Sequence, residues 1–546
     1  MINYKALFLA VGTVCIQHLS YAATPPTKYD TEGNNTFVFF ENNIDKEYFI
    51  AAEKLNPRFT GNNVWTKYGK NKQDSLGYMG TDTGLINNAN VDLWLENSAM
   101  LYPFQGIRCR TNNAACPSTG FLPAVSVDQY GAYGIKGGSS SANGGIARGS
   151  FAMPAYEFLK NQIVGTMVSY DFNYCSTRDS YDAAKGERCK DTPNGRWGKA
   201  KLNVTKKADI TLLDTNAFTE IWVSTDGTPT LRPNSQYCED LILGSSDNQQ
   251  GVACKMLQYN IEGTPSTFSS DLRFYMVVDT ALLNNISLAA RDIQIDGGNG
   301  VWKRFNYTGT DNSMNGMFVT GDGFVRVLFT KAFFKKMLNA QATTGGQRGV
   351  FTFAVNNTET PQSGYYQFSS GIDIDIIPRE YGISIRHKDL SQDVKSGKIG
   401  DNEQDIVFNY IVTQSAPRKA DTVTASVIGE STTVKSMRYC LFKSNDNSLN
   451  VAIPAYLSYT HETGNIVEQY SGCNASATLD LTHAAWTVEP WDTQQSGYFY
   501  STDLKLRFPM NDRVSQFTID KGVDWLGSVH AEGDVKVEAK WIGVNR

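Results

Sequence analysis

Apolar and polar residues alternate with a period of two along one segment after another of this chain. Val91, Leu93 and Leu95 interleave with Asp92, Trp94 and Glu96, and Ile372, Ile374 and Ile376 interleave with Gly371, Asp373 and Asp375. Towards the C-terminus, Val535, Val537, Ala539 and Trp541 interleave with Asp534, Lys536, Glu538 and Lys540. Successive side chains of an extended strand point to opposite faces, so each run predicts a strand with one face in a core and the other in water. Turn-forming groups punctuate the runs: Thr225-Asp226-Gly227, Asp296-Gly297-Gly298, Gly321-Asp322-Gly323 and Ser363-Gly364. The 28 Phe, 27 Tyr and 9 Trp, spaced by Gly, Asn, Ser and Thr, suit many short strands joined by turns. Helical spacing is confined to two short stretches. Thr330 can cap a helix whose Phe333, Phe334, Met337 and Leu338 share a face, and Pro154 can open another through Tyr156 to Leu159. The fold class is therefore all-β with minor helices, and the lack of a short repeat period argues against solenoids and propellers.

Cysteine usage points to an oxidising compartment. Lys5, the apolar stretch from Ala6 to Ile16, and Ser20-Tyr21-Ala22 read as a secretory leader over residues 1–22, cut between Ala22 and Ala23. The leader carries Cys15. The eight cysteines beyond it form four close-spaced couples: Cys109 and Cys116, Cys175 and Cys189, Cys238 and Cys254, Cys440 and Cys473. Disulfides persist where thiols are not kept reduced, which is what an exported chain meets. Nearest-neighbour pairing is one of roughly a hundred schemes, and is the one expected if each bridge staples a local loop. Each such bridge is worth roughly 2.5 to 4 kcal/mol by chain entropy. A metal site would need CxxC or Cys/His clusters, and the sequence has neither. No stretch after the leader reaches the run of about 18 apolar residues that a membrane span requires.

The formal net charge is −5 with no basic run, which argues against nucleic acid or an anionic membrane as a partner. The length suits roughly three or four domains of ordinary size. The clearest seam is Ile377-Pro378-Arg379, where a strand meets a proline and a new alternation begins at Ile383 and Ile385. A second possible seam lies at Val204 to Asp209. The expected division is 23–205 and 206–378, as two β-domains or one large one, followed by 379–546.

No catalytic constellation emerges. His387, His461, His483 and His530 fall in no HExxH pattern, and neither a GxSxG nor a papain-like cysteine motif is present. Asp373 and Asp375 are the tempting carboxylate pair, because residues two apart on a strand point the same way about 6.5 to 7 Å apart, compatible with inverting glycoside hydrolysis. The plainer reading is the solvated face of a half-buried strand. The Gly-rich run from Lys136 to Gly145 lacks the GK[ST] ending of a phosphate loop and reads as a surface loop. Asp296 to Gly300 and Asp311 to Gly316 miss the calcium-loop register and read as turns. Neither a metal nor a cofactor is implied. Aromatics in polar, Gly-containing stretches are what a sugar- or surface-binding module needs, and Trp65, Tyr68, Tyr130 and Tyr133 are the receptor-binding candidates, with packing as the alternative use of each ring.

Several segments, in one order along the chain, resemble the tip adhesins of the common pilus of Gram-negative bacteria, the EcpD/MatE family. They begin with Phe37-Val-Phe-Phe-Glu-Asn-Asn43, Leu55-Asn-Pro-Arg-Phe-Thr-Gly61, Ser75-Leu-Gly-Tyr78 and Asp92-Leu-Trp-Leu-Glu-Asn-Ser98. Arg188-Cys-Lys-Asp191, Ser224-Thr-Asp-Gly-Thr-Pro-Thr-Leu231, Cys254-Lys-Met256 and Phe333-Phe-Lys335 continue the series. Ser363-Gly-Tyr-Tyr-Gln-Phe-Ser369 and Tyr439-Cys-Leu-Phe442 complete it.

The resemblance implies a non-enzymatic subunit exported through the periplasm to the cell surface and placed at a fimbrium tip. Its implied partners are a periplasmic chaperone, an outer-membrane usher, the major pilin subunit and a host-cell or surface receptor, a glycan being one candidate. It implies adhesin domains N-terminal to an incomplete Ig-like pilin domain over 379–546, completed by a strand from another chain. Val535, Val537, Ala539 and Trp541 would then form that domain's edge strand. The last alternating strand lies close to the C-terminus, and Ala23 to Asn35 is polar with two prolines, so the expectation is a subunit that accepts a strand without donating one. The alternatives are an exported carbohydrate-active β-sandwich enzyme and a polymerising minor pilin.

Overall fold

The computed structural model describes residues 22–45, 47–48, 68–69, 72–73, 78–108, 121–137, 146–215, 217–232, 235–243, 250–267, 269, 272–279, 286–305, 314–340, 350–357, 365–388, 394–491 and 496–544. The leader through residue 21, Trp65, Cys109, Cys116 and the loop over 138–145 lie outside the described residues. Strands dominate, as alternation implied. No helix among the described residues is long and apolar enough to cross a membrane.

The spine of the largest sheet, which has 12 strands, is Arg196–Leu213. Residues 196–205 pair antiparallel with Met167–Thr177, residues 208–213 pair antiparallel with Gln250–Gly263, and Thr31–Asn42 lies parallel along the other edge. The possible seam at Val204 to Asp209 thus falls inside one unbroken strand. What changes there is the pairing partner, together with a register shift against Thr31–Asn42 between Lys206 and Ala208. Lys206 is buried at that changeover, with its Nζ 2.7 Å from Asp209 Oδ2 and 2.5 Å from the carbonyl of Lys160. A buried ammonium is tolerated when it is paired and hydrogen-bonded in this way. One apolar core draws on residues from Phe37 to Ile376, so the 23–205 and 206–378 stretches share an interior, with a smaller separate cluster of Trp94, Tyr133, Cys175, Ala183 and Cys189.

The polar segment from Ala23 onward is tied down. The Ala23 N–H donates to the Lys190 carbonyl, the Tyr29 hydroxyl to Asp171 at 2.7 Å, and the Tyr174 hydroxyl to Asp30 at 2.5 Å. Both short helices form. Met153–Asn161 has a proline in its first turn, and Lys331–Asn339 is capped by the Thr330 hydroxyl, which accepts from the Phe333 N–H and sets Phe333, Phe334 and Met337 into the core.

Ile372–Pro378 closes against Ala217–Val223 as a parallel pair, and Gly382–His387 opens a C-terminal module with a separate core from Tyr410 to Met510. One face of that module is a six-stranded sheet in which Gly382–His387, Ile406–Ala416 and Tyr498–Phe508 are neighbours. The other includes a three-stranded sheet, Leu479–Asp480, Thr422–Gly429 and Gly533–Lys540. Bridges join Cys175 to Cys189, Cys238 to Cys254, and Cys440 to Cys473. The last spans 33 residues, so serine at both positions is expected to cost the C-terminal module roughly 3 to 4 kcal/mol. Denaturant midpoints compare the two proteins; equal midpoints would mean that the loop is ordered without its bridge.

Candidate functional site

The alternation over Gly533–Lys540 produces a strand whose Val535, Val537 and Ala539 pack on the C-terminal core yet stay only half-buried, as does Trp541 just beyond. One edge of this strand pairs along its whole length with Thr422–Gly429; the other edge has no ladder partner among the described residues. Gly382–His387 likewise has one ladder partner among the described residues, Ile406–Ala416. Between the two open edges runs a groove of about 710 Å³. Ile383 stands on one bank; Thr422, Thr424, Val537 and Ala539 stand on the other. The Tyr381 and Trp541 rings meet edge to face at 5.7 Å beside it, and the Trp541 indole N–H donates to the Arg418 carbonyl. An open edge beside half-covered apolar side chains has the geometry to take one more strand, whose backbone would pair with 533–540 and whose alternate side chains would fill the groove.

The receptor candidates separate. Tyr130 is 51% exposed, and the exposed Tyr102 is tied nearby through its N–H, which donates to the Gln129 carbonyl. Tyr133 is 5% exposed, with the Arg188 guanidinium 3.8 Å above its ring and its hydroxyl donating to Asp128. That ring is covered and offers no face to a ligand. Tyr68 lies in a two-residue strand, and its side chain, like Trp65, is outside the described residues.

Two readings of polar faces need correction. Asp92 was expected in water but is 0% exposed, because the Cys175–Cys189 loop folds over it. Its carboxylate accepts from the Gly134 N–H at 2.8 Å, the Cys189 N–H at 2.6 Å and the Tyr181 hydroxyl at 2.6 Å. Burial pushes this carboxyl above its ordinary range, against the pull of those donors. Asp375, read as solvated, is 4% exposed. Its strand pairs with the one carrying buried Glu220, whose carboxylate accepts from the Ser384 hydroxyl of the C-terminal module at 2.6 Å. That face is a seam between modules. Asp296 is likewise spent within the protein, accepting from the Arg326 Nε at 2.8 Å.

A second feature escaped the sequence. Trp222, Ile377, Trp491 and Phe499 form a small buried cluster joining the two modules. The Trp491 indole donates to Ser415, and Arg379 stacks 4.5 Å from the Trp491 ring. The Trp-Asp492 stretch carries no pattern that would have flagged it, since a seam is made by residues far apart in the chain.

Fold and groove together define a class: a multi-module all-β protein whose last module keeps an unpaired strand edge beside an open apolar groove. Comparison with known proteins makes this specific. Residues 24–210, 214–373 and 380–539 match the family models described as the E. coli common pilus adhesin EcpD N-terminal domain, middle domain and C-terminal domain. The chain belongs to this family of common pilus adhesins. Over 536 residues it is 33% identical to the fimbria adhesin EcpD of Escherichia coli O6:H1 and 32% identical to that of strain K12, covering 96% of each chain. A solved structure of CfaE, the adhesive subunit of CFA/I fimbria of enterotoxigenic Escherichia coli, aligns with 60% of this chain and 98% of its own at 10% identity and a TM-score of 0.16.

Proposed function

We propose that this chain is a non-enzymatic tip adhesin of a chaperone–usher fimbria. Residues 23–205 and 206–378 present the receptor-binding surface, and 379–546 act as a pilin-like module that takes its missing strand from another polypeptide. The observation that carries the reading is the open edge of Gly533–Lys540 beside its groove. A periplasmic chaperone supplies the strand first; the neighbouring pilin supplies it after export through the outer-membrane usher. The receptor is a host-cell or surface ligand, with glycans as candidates.

A terminal position is supported by the other end of the chain. Thr31–Asn42 is committed to its own 12-stranded sheet, so that strand is not on offer to a neighbour. Binding without turnover is supported by the burial of Asp375 in the module seam, where no substrate reaches it. The test is to co-express the chain with its chaperone, usher and major pilin and to label the assembled fibres with antibody to this chain. Single labels at fibre ends are expected. Labels spaced along the shaft would overturn the tip assignment in favour of a polymerising pilin.

A further inference from the structure

Across the six-stranded sheet, Arg386 stands level with Ile411 and Asp503; one step along, Ser384 stands level with Thr413, Ser501 and Thr487. Residues level in an antiparallel sheet project from the same face. The intervening Tyr410, Val412 and Leu504 lie in the C-terminal core, so this row looks away from that core. From the preceding module, Arg232 reaches onto the row, donating to Thr413 Oγ1 at 3.2 Å and to Glu489 Oε2 at 2.8 Å. A cavity of about 350 Å³ is left between them, lined by Arg232, Arg386 and the side chains of Thr460, Thr487, Ser501 and Asp503 among others.

The charges around this cavity are unevenly spent. Glu489 is held by Arg232, Asp503 by Lys388 at 2.7 Å, and Glu220 by the Ser384 hydroxyl. The Arg386 side chain makes no hydrogen bond or ion pair among the described residues, its backbone alone joining the ladder opposite Ile411. Burial works against its charge most, Glu220 attracts it without touching it, and Arg232 repels it. Two guanidiniums from two modules therefore share one partly desolvated space ringed with hydroxyls. A planar or tetrahedral oxygen anion is what such a pair of forks recognises, because it accepts from both and cancels their repulsion.

We propose that this seam cavity binds a small oxoanion group, a sulfate, phosphate or carboxylate, between Arg232 and Arg386, clamping the C-terminal module to the one before it. The group comes either from a free inorganic ion or from an acidic sugar. Calorimetric titration of the full mature chain with sodium sulfate and with sodium glucuronate, at ionic strength matched with chloride, tests it. Saturable binding with a Kd of roughly a millimolar is expected, with a rise in unfolding temperature that grows with ligand concentration.

Arg386→Gln should weaken binding about tenfold, and Arg386→Lys by less, because it keeps the charge but loses the fork. Lys185→Gln, which removes an exposed positive charge in the N-terminal region, should change nothing. Equal affinity for both probes assigns the site to the free anion; clear preference for glucuronate assigns it to an acidic sugar. No saturable binding of either probe by the wild-type chain overturns the proposal, as does equal weakening by Lys185→Gln and Arg386→Gln. Should Arg386→Gln fail to fold, the wild-type titration and Arg386→Lys decide the matter.

Discussion

With Val537 replaced by arginine, the chain is expected to disappear from assembled fibres while its N-terminal region still folds. Val537 sits mid-strand on the groove and is half-buried in the open state. An arginine there can turn its charge to water as long as the groove is empty, so the free chain should tolerate it. A strand laid along the open edge would trap that charge against apolar side chains. Burying an unpaired charge costs several kcal/mol, enough to weaken strand capture by about a thousandfold. Co-purification of the chaperone from periplasm and antibody labelling of fibres give the two readouts. Lys536→Gln, on the exposed side of the same strand and outside the groove lining, should behave as wild type. Wild-type labelling of the Val537→Arg chain would sink the strand-acceptor reading.

Alanine at Asp92 is expected to destabilise the N-terminal region by about 3 to 5 kcal/mol, since it strands buried donors that have no access to water. The Gly134 and Cys189 N–H groups and the Tyr181 hydroxyl all end on this one carboxylate. Asn should cost less than Ala, because its amide oxygen still accepts. Chemical denaturation followed by tryptophan fluorescence reports the effect, as Trp94 and Trp197 flank this loop with ring centroids 5.4 Å apart. The pH dependence has a defined sign. Burial raises the Asp92 carboxyl above 3.8, so the folded state holds that proton more tightly than the unfolded chain does. The associated stability is complete below 3.8 and is lost as pH rises through the raised value. The margin of wild type over Asp92→Asn should therefore shrink on going from acid towards neutrality; a margin that widens instead would contradict the assignment.

Much of the architecture was legible in advance where the information is local. Thr330 with its Phe333, Phe334 and Met337 face needed only helical spacing and a capping hydroxyl, both contained in a few residues. The all-β class needed only the period of two. The seam expected at Val204 to Asp209 lies close to where the family models divide, at 210 and 214, yet it falls within a strand, because a polar stretch is also what a strand shows on its exposed face. Arg196–Leu213 carries straight through it, trading Met167–Thr177 for Gln250–Gly263 as its partner. Tyr133 misled for a related reason: a ring in a Gly-containing stretch looks available until Arg188, far along the chain, covers it.

Which residues alternate is written into the chain, since the two faces of a strand follow from backbone geometry alone. Which of those faces becomes covered is decided only by what folds back from elsewhere. The polar faces holding Asp92 and Asp375 are sealed by the Cys175–Cys189 loop and by the C-terminal module, whereas the apolar face from Val535 to Trp541 is left half-open. Burial is a sum over contacts distant in sequence, so no window of residues contains it. The tertiary arrangement alone turns an ordinary alternating strand into an edge with a groove beside it.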